Sequence, residues 1–260
     1  MSTTPRLRLF AGPNGSGKST LKNVLNEEWI GVYINPDEIE KGLRANTLID
    51  FSDFGLVVDE DALLDYLRTS TLLAKGGMLE SVNNLRFADN RLHFEAVEIN
   101  SYFASVLADF IRQQLLAQGI SFTFESVMSS PDKVEFLRKA QQAGFRTYLY
   151  FVATEDPEIN VARVSHRVET GGHPVPEDKI RQRYYRSLEL LLDAVTYSNR
   201  AYIFDNSADD QEHSWGAEVT NGEEIELKSP EMPAWFRKAL WDHFEDEPSA
   251  TDETPLYPAE

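Results

Sequence analysis

The chain has 260 residues and no cysteine, and 42% of its residues are hydrophobic, enough to bury a sizeable core. The lack of cysteine excludes a disulfide framework and thiolate chemistry. The formal net charge of −18 argues against broad binding to nucleic acid or to an anionic membrane. The sequence has no apolar leader and no stretch of membrane-spanning length, so we expect a soluble, cytoplasmic protein.

The most informative stretch runs from Leu7 to Leu21, where an apolar run ends in a glycine-rich loop. The loop matches G-x-x-x-x-G-K-[ST], a phosphate-binding pattern that lies between a strand and a helix. Its residues are Gly12, Pro13, Asn14, Gly15, Ser16, Gly17, Lys18, Ser19 and Thr20. Glycines let successive N–H groups point at phosphate oxygens. We therefore predict that the loop binds ATP, that Lys18 reaches the β- and γ-phosphates, and that Ser19 ligates Mg²⁺.

Buried-type strands alternate with helical stretches along the chain. The predicted strands are 7–11, 32–34, 122–124, 147–152 and 201–204. The predicted helices are 19–26, 38–43, 59–75, 101–118, 131–143, 156–170, 177–198 and 233–244. Hairpins are predicted at 85–94 and 215–227. This alternation predicts an α/β fold of the P-loop NTPase class, with a five-stranded parallel sheet and helices on both of its faces.

The domain organisation follows from the same pattern. The first hairpin makes residues 51–100 an insertion of helix and hairpin in the alternation. Because the pattern contains one parallel sheet, we expect a single domain over 1–244, which ends in the C-terminal hairpin and a short helix. Residues 245–260 are acidic and contain proline, and we expect them to form a disordered tail.

Acidic residues follow two of the predicted strands. Asp37 comes after the second strand, at the sheet edge where ligands of open parallel sheets bind. Phosphoryl transfer to a hydroxyl needs a carboxylate that accepts the hydroxyl proton, so Asp37 is a candidate catalytic residue. The alternative is that Asp37 caps the helix 38–43. Glu125 and Ser126 close the third strand, and we assign them to substrate binding. The alternative for Glu125 is a surface acid at a strand end.

Arginines cluster in the second half of the chain. Arg163 and Arg167 are four residues apart and therefore share one helix face. A developing phosphoryl charge needs a guanidinium partner, so we expect at least one of the two to contact the phosphates. Gly171 and Gly172 follow, and they would let this segment close as a lid. Three further arginines are Arg181, Arg183 and Arg186. For each arginine, the alternative is an ion pair on a solvated face.

Residues 7–207 resemble the zeta-toxin-like P-loop kinases. The resemblance rests on the phosphate loop, on INPDEI, FTFESVMSS and FDNS, and above all on RVSHRVETGGHPVPEDKIRQRYYRSL. Characterised members use ATP to phosphorylate the 3′-hydroxyl of UDP-N-acetylglucosamine, and a partner antitoxin covers their nucleotide site. The resemblance implies that Lys18 is the loop lysine, Asp37 the catalytic aspartate and Glu125 the acid that contacts the sugar. It also implies a phosphate contact from Arg163 or Arg167.

The leading hypothesis is therefore an ATP- and Mg²⁺-dependent kinase whose acceptor is a small-molecule hydroxyl, of the UDP-N-acetylglucosamine type by the resemblance. The chain departs from these toxins in having Ser126-Val127 where they have Gly-Thr, and residues 51–100 do not align with a segment of them. One alternative is a kinase of another small-molecule or nucleotide hydroxyl. The other is a nucleotide-binding switch or ATPase that acts on a protein partner. We expect an antitoxin as a protein partner, and neither nucleic acid nor membrane.

Overall fold

The structure is a computed structural model that describes residues 4–22, 25–172, 174–208 and 213–245. Its strands are β1 (Arg6–Ala11), β2 (Val32–Ile34), β3 (Leu48–Asp50), β4 (Arg86–Ala88), β5 (Arg91–His93), β6 (Phe122–Ser126), β7 (Arg146–Ala153), β8 (Arg200–Asp205), β9 (Ser214–Thr220) and β10 (Glu224–Leu227). Its α-helices are α1 (Lys18–Lys22), α2 (Glu27–Ile30), α3 (Pro36–Asn46), α4 (Glu60–Arg68), α5 (Thr71–Lys75), α6 (Ser101–Ala117), α7 (Asp132–Gln142), α8 (Pro157–Glu169), α9 (Glu177–Glu189), α10 (Leu191–Thr196), α11 (Ala234–Phe236) and α12 (Asp242–Glu245). Short 3₁₀ helices cover Phe51–Phe54 and Glu80–Asn84, and a π-helix covers Arg237–Trp241.

The large sheet has the strand order β10-β9-β8-β7-β1-β6-β2. The five strands from β8 to β2 are parallel, as predicted, whereas β9 and β10 are antiparallel. The predicted count of five strands is therefore too low for the whole sheet. The C-terminal hairpin pairs with β8 and extends the sheet, because this pairing buries Ala217 and Val219 completely.

Alternating side chains bury both faces of the large sheet. On one face, Leu9 and Phe151 belong to a large hydrophobic cluster that includes side chains of α6, α7 and α10. On the other face, Phe10 and Tyr150 pack with Leu21 of α1 in a second cluster. Strands buried on both faces are typical of α/β proteins. The predicted α/β fold of the P-loop NTPase class, with helices on both faces, is confirmed.

Residues 51–100 contribute to a second, antiparallel sheet with the order β3-β5-β4. The hairpin predicted at 85–94 is confirmed, whereas β3 was not predicted because three residues are too few to show alternation. Buried Phe51 and Phe94 belong to the same hydrophobic cluster as the core of the large sheet. The segment therefore shares its core with the large sheet, and the domain division over 1–244 stays a prediction.

Three predicted helices are interrupted. The stretch 59–75 forms α4 and α5, because the Ser70 Oγ accepts the N–H of Leu73 at 3.2 Å and so starts a new helix. The stretch 177–198 divides into α9 and α10 at Leu190. The stretch 233–244 contains the π-helix between α11 and α12. Hydrophobic periodicity continues across such breaks, so it does not reveal them.

Parts of two predicted segments lie outside the described residues. The helix predicted at 19–26 begins one residue earlier, at Lys18, and residues 23 and 24 are not described. The predicted tail begins at Glu245, which still belongs to α12, and residues 246–260 lie outside the described part. Within the described residues, no helix has both the length and the apolar character that crossing a membrane requires.

Candidate active site

The carboxyl ends of the parallel strands meet at one edge of the large sheet. Ala11, the last residue of β1, pairs with Ser126 of β6 and with Phe151 of β7. The loop after β1, Glu125 of β6 and Asn35 after β2 consequently lie side by side. The edge is the position at which open parallel sheets bind their ligands.

The backbone of the phosphate loop requires its glycines. Gly12 has φ +143° and Gly17 has φ +97°, backbone angles that residues with a side chain rarely adopt. A Cβ at Gly12 would lie 2.0 Å from the carbonyl oxygen of Val152, and a Cβ at Gly17 would lie 2.4 Å from Asn206 Nδ2. The loop is therefore pressed against the strand ends, which fixes the direction of its N–H groups.

Asparagine side chains from distant elements brace this loop. Asn160 of α8 is fully buried and donates from Nδ2 to the carbonyl of Asn14 at 2.6 Å. Its Oδ1 accepts from the Thr154 hydroxyl at 2.5 Å. Asn206, after β8, donates to the carbonyl of Ser16 at 2.8 Å. These bonds occupy loop carbonyls, so the loop presents its N–H groups towards the anion position.

Lys18 begins α1 and bonds back to the loop. Its Nζ donates to the carbonyls of Gly12 and Pro13, both at 2.8 Å. The helix continues with the exposed Ser19 and Thr20, and the N–H of Thr20 donates to the Gly17 carbonyl at 3.1 Å. A lysine held over the loop in this way is already close to where phosphates bind.

The charge of Lys18 is tuned by its surroundings. Burial lowers the pKa of its ammonium group to about 8, and the positive charge of Arg167 acts in the same direction. Glu125 and Asp37 oppose this shift because their negative charges favour the ammonium form. Three of the side chains predicted for the site therefore act electrostatically on the loop lysine.

Glu125 is the centre of a hydrogen-bond network that the sequence predicted only in part. Its carboxylate is 8% exposed and accepts hydrogen bonds from Ser19 Oγ at 3.2 Å and from Asn35 Nδ2 at 3.3 Å. The Tyr33 hydroxyl also donates to this carboxylate, and burial together with the Glu125 charge raises the pKa of Tyr33. Glu125 is therefore not a surface acid. The contributions of Tyr33 and Asn35 were missed, because their contact with Glu125, about 90 residues further along the chain, forms only in the tertiary fold.

Asp37 lies in the first turn of α3, and its side chain is exposed. The alternative that Asp37 caps this helix is wrong. The helix begins at Pro36, and Asn35 caps it by accepting the N–H of Asp37 on Oδ1 at 2.8 Å. The negative charge of Asp37 raises the pKa of Lys18, and Asn35 holds in place the helical turn that carries Asp37.

The two predicted phosphate arginines have different surroundings. Arg163 is half-buried and donates to the carbonyls of Asn206 at 2.7 Å and Ala208 at 3.3 Å, so it holds the segment after β8. Arg167 lies one helical turn further along α8, is exposed, and lowers the pKa of Lys18. Of the two, Arg167 is the one whose charge lowers the pKa of the loop lysine.

Arg181 and Arg183, both in α9, have different surroundings. Arg181 forms ion pairs with Glu158 at 2.6 Å and with Glu177 at 3.0 Å. For Arg181 the structure therefore agrees with the alternative, an ion pair on a solvated face. Arg183 instead donates to Asn14 Oδ1 at 3.4 Å and so reaches the phosphate loop. Sequence spacing did not separate these two, because the contact between α9 and the loop is formed only in the tertiary fold.

Ser126 shapes the turn after β6. Its Oγ accepts the N–H of Met128 at 3.0 Å, and Met128 has φ +51°. The turn leads the chain away from Glu125 towards α7. The predicted role of Ser126 in substrate binding stays a prediction.

Two features fit a triphosphate with Mg²⁺. The Ser16 Oγ is fully buried and has no hydrogen-bond partner among the described residues, and a phosphate oxygen would supply one. Ser19 Oγ lies 3.2 Å from a Glu125 oxygen, and such oxygens are the ligands that Mg²⁺ prefers. In the described part of the chain, no group of three or more His, Cys, Asp or Glu side chains could hold a metal. Mg²⁺ commonly needs only one or two protein groups beside substrate phosphates.

A cleft of about 260 Å³ opens beside the Glu125 network. It lies between α3 and residues 48–54, and Tyr33 and Asn35 line it at the N-terminal end of α3. We call it the α3 cleft. The sequence did not predict it, because one wall includes the three-residue strand β3 and the packing of α3 against this wall forms only in the tertiary fold.

Comparison with known proteins shows what the chain is similar to. Residues 88–209, just under half of the chain, match the family model described as "Zeta toxin". These residues are therefore similar to zeta toxins. An uncharacterised protein of Haemophilus influenzae is 26% identical to this chain over 175 residues, which are 67% of this chain and 89% of that protein. The predicted resemblance is confirmed.

Solved structures support the fold of this chain. A complex of AvrRxo1-ORF1 and AvrRxo1-ORF2 with sulphate ions matches with a TM-score of 0.51 and 16% identity, covering 96% of this chain and 67% of that one. The same pair with ATP matches with a TM-score of 0.50 and 15% identity over 87% of this chain. This chain spans 61% of the length of that second chain. At such identities the likeness shows a shared fold.

Proposed function

We propose that this chain is a P-loop kinase that uses ATP and Mg²⁺ to phosphorylate a hydroxyl of a small molecule. The observation that carries the proposal is one hydrogen-bonded path across the strand ends. Ser19 of the phosphate loop donates to Glu125, and Tyr33 and Asn35 donate to the same carboxylate from the border of the α3 cleft. A phosphate site and a cleft for an acceptor therefore share one carboxylate, an adjacency that phosphoryl transfer requires.

The loop binds the triphosphate in this proposal. Its N–H groups and Lys18 contact the β- and γ-phosphate oxygens, and Ser16 Oγ gains the partner that it lacks. Bound phosphate raises the pKa of Lys18 above its unliganded value of about 8, because a nearby negative charge favours the ammonium form. Arg167 and Arg183 approach the same loop and add positive charge against the transferred group.

Ser19 and Glu125 would hold Mg²⁺, Glu125 directly or through a water molecule. The ion supplies positive charge against the β- and γ-phosphate oxygens. Glu125 keeps a fixed orientation because Tyr33 and Asn35 donate to it. A carboxylate fixed by two donors is preorganised for this role and loses little freedom when the ligand binds.

Asp37 serves as the general base. The acceptor oxygen forms a bond to the γ-phosphorus while the bond from the γ-phosphorus to the bridging oxygen breaks, and ADP leaves with that oxygen. The hydroxyl proton passes to the Asp37 carboxylate, which is exposed and releases it to water. Asn35 holds the helical turn that carries Asp37 and also contacts Glu125, so the two carboxylates keep a fixed relation.

The identities of the phosphoryl acceptor and of a protein partner are further parts of the proposal. The zeta-toxin-like resemblance supports a UDP-N-acetylglucosamine-type sugar nucleotide as the first acceptor to test, and an antitoxin as a protein partner. The structural neighbour AvrRxo1-ORF1 was itself solved in complex with AvrRxo1-ORF2. The alternatives are a kinase of another hydroxyl and a nucleotide-dependent switch that acts on a protein through residues 51–100.

ADP release with and without acceptor tests the proposal. Purified chain with Mg²⁺ and ATP is incubated with UDP-N-acetylglucosamine and with a metabolite extract, and mass spectrometry searches for compounds that gain a phosphoryl group. The proposal predicts acceptor-dependent ADP release. ATP binding with no acceptor-stimulated turnover would support the switch. Growth arrest on expression that Asp37→Ala relieves would support a toxin.

A further inference from the structure

The α3 cleft has an apolar floor and a polar rim. Ile39, Leu43 and Ile49 are buried at its base, and Phe54 is half-buried beside them. The exposed Asp53 lies on the rim. Its volume of about 260 Å³ is just below the ~300–1,000 Å³ of sites for drug-sized ligands. The cleft therefore suits a compound of roughly monosaccharide size, with one apolar face and several hydroxyls.

The charge of the α3 cleft is the opposite of that of the phosphate loop. No lysine, arginine or histidine is among the described residues that line it, whereas three carboxylates are: Glu38, Asp50 and Asp53. Cations outside the lining offset two of them. Arg91 pairs with Asp50 at 2.7 Å, and Lys22 lies 3.9 Å from Glu38. The described lining of the cleft thus offers no cationic group to a second phosphate, and the nearby Lys22 ammonium already faces the Tyr33 ring at 3.8 Å and Glu38 at 3.9 Å. The remaining negative charge would repel such a phosphate.

We propose that the α3 cleft is the acceptor site of the kinase, and that its acceptor is a small sugar-like polyol that carries no phosphate group of its own. This inference rests on the proposed kinase function. Its class of acceptor differs from a sugar nucleotide, which is larger than the cleft and whose diphosphate would find no cationic partner in the described lining. Hydroxyl groups instead match the rim carboxylates and amides, and the apolar sugar face matches Phe54 and the aliphatic floor.

The cleft lies next to the proposed site of phosphoryl transfer. Tyr33 and Asn35 line the cleft and also donate to Glu125, which accepts from Ser19 of the phosphate loop. A polyol in the cleft therefore presents one hydroxyl to Glu125, and Asp37 lies in the first turn of α3, which Asn35 caps. The balance of the reaction is that of the kinase: the hydroxyl oxygen gains the γ-phosphoryl group, ADP leaves, and the proton goes to Asp37.

Gly42 offers a test that leaves the fold intact. It lies in α3 and lines the cleft, and a Cβ added to it would meet no atom within 4 Å. Leucine is a better helix former than glycine, so Gly42→Leu fills the cleft without destabilising the helix. Ala45→Leu adds a similar side chain to an exposed position of the same helix that does not line the cleft, and it is the matched control.

The experiment measures binding by calorimetry in the presence of Mg²⁺ and ADP. The probes are D-glucose, D-glucosamine, myo-inositol and UDP-N-acetylglucosamine, each titrated into wild-type chain, Gly42→Leu and Ala45→Leu. We expect at least one phosphate-free probe to bind the wild type more tightly than the sugar nucleotide does. Gly42→Leu should weaken that binding by about tenfold or more, whereas Ala45→Leu and the affinity for ADP stay unchanged.

The outcomes separate this inference from the kinase function. Tighter binding of UDP-N-acetylglucosamine, or no binding of any phosphate-free probe, overturns the acceptor class. Binding that Gly42→Leu leaves unchanged overturns the location. Phosphate-free binding that Gly42→Leu abolishes, without ADP release in a turnover assay, supports the cleft as a polyol site and contradicts the kinase proposal.

Discussion

At the phosphate loop, Lys18, Arg167 and Arg183 bring positive charge to one point, whereas no cationic residue is among the described residues lining the α3 cleft. The two regions are also built differently. The loop is held by polar side chains that bond its carbonyls, and the cleft rests on an apolar floor shared with the core.

Because the phosphate loop and the α3 cleft differ in charge and in construction, one sheet edge can bind two different substrates. Phosphates need fixed N–H groups and cations, which require a rigid, polar-braced backbone. A neutral acceptor needs a shaped cavity and a few hydrogen-bonding groups. Glu125 lies at the boundary, with Ser19 on the phosphate side and Tyr33 and Asn35 on the cleft side. Variants that affect one side and spare the other test this division.

Removing the loop lysine has the largest expected effect. Lys18→Met deletes the ammonium group that donates to the Gly12 and Pro13 carbonyls. We expect ADP release to fall by about 10²-fold or more, with ATP binding lost or strongly weakened. The matched control is Lys22→Met in the same helix, whose Nζ lies 3.8 Å from the Tyr33 ring centre, on the cleft side. Equal loss of ATP affinity in the two variants would contradict the division.

Asp37→Ala is expected to separate chemistry from nucleotide binding. Loss of the general base should reduce acceptor-dependent turnover by about 10²–10⁴-fold, while ATP affinity measured by calorimetry stays close to that of the wild type. Asp61→Ala removes an exposed carboxylate from the first turn of α4 and serves as the control. Turnover at the wild-type rate in Asp37→Ala would show that its proposed role is wrong.

Asn160→Ala tests the polar bracing of the loop. The variant leaves the Asn14 carbonyl and the Thr154 hydroxyl without their partner. The free energy of unfolding should fall by about 1–3 kcal/mol, and ATP should bind several-fold more weakly. Probe binding in the α3 cleft should not change. Asn84→Ala, at an exposed position, is the control, and chemical denaturation with calorimetry measures both quantities. A loss confined to the cleft would contradict the bracing role.

The fourth expected effect is a pH dependence that belongs to the loop alone. The pKa of Lys18 is about 8 in the unliganded chain, so its neutral form predominates above that pH. ATP binding then requires proton uptake. The dissociation constant should rise about tenfold between about pH 7 and about pH 9, and Lys18→Met should abolish this dependence. Calorimetry in buffers of different ionisation enthalpy measures the uptake, and a flat profile in the wild type would contradict the lowered pKa.

The two regions were also unequally predictable from the sequence. The phosphate loop was predicted because its motif is contiguous, and Asp37 and Glu125 because residues that end parallel strands meet at one edge. The bracing by Asn160 was not, since its partner Asn14 is 146 residues away along the chain. The α3 cleft depends on the three-residue strand β3, too short for any periodic signal.

The most direct test of the account is calorimetry of the wild-type chain with Mg²⁺ and ATP, with Lys18→Met titrated in parallel. We expect a saturable heat of one-to-one binding in the wild type that the variant loses. A wild-type chain that is well folded by circular dichroism and yet gives no heat of binding would contradict the central claim that the loop between β1 and α1 holds a triphosphate.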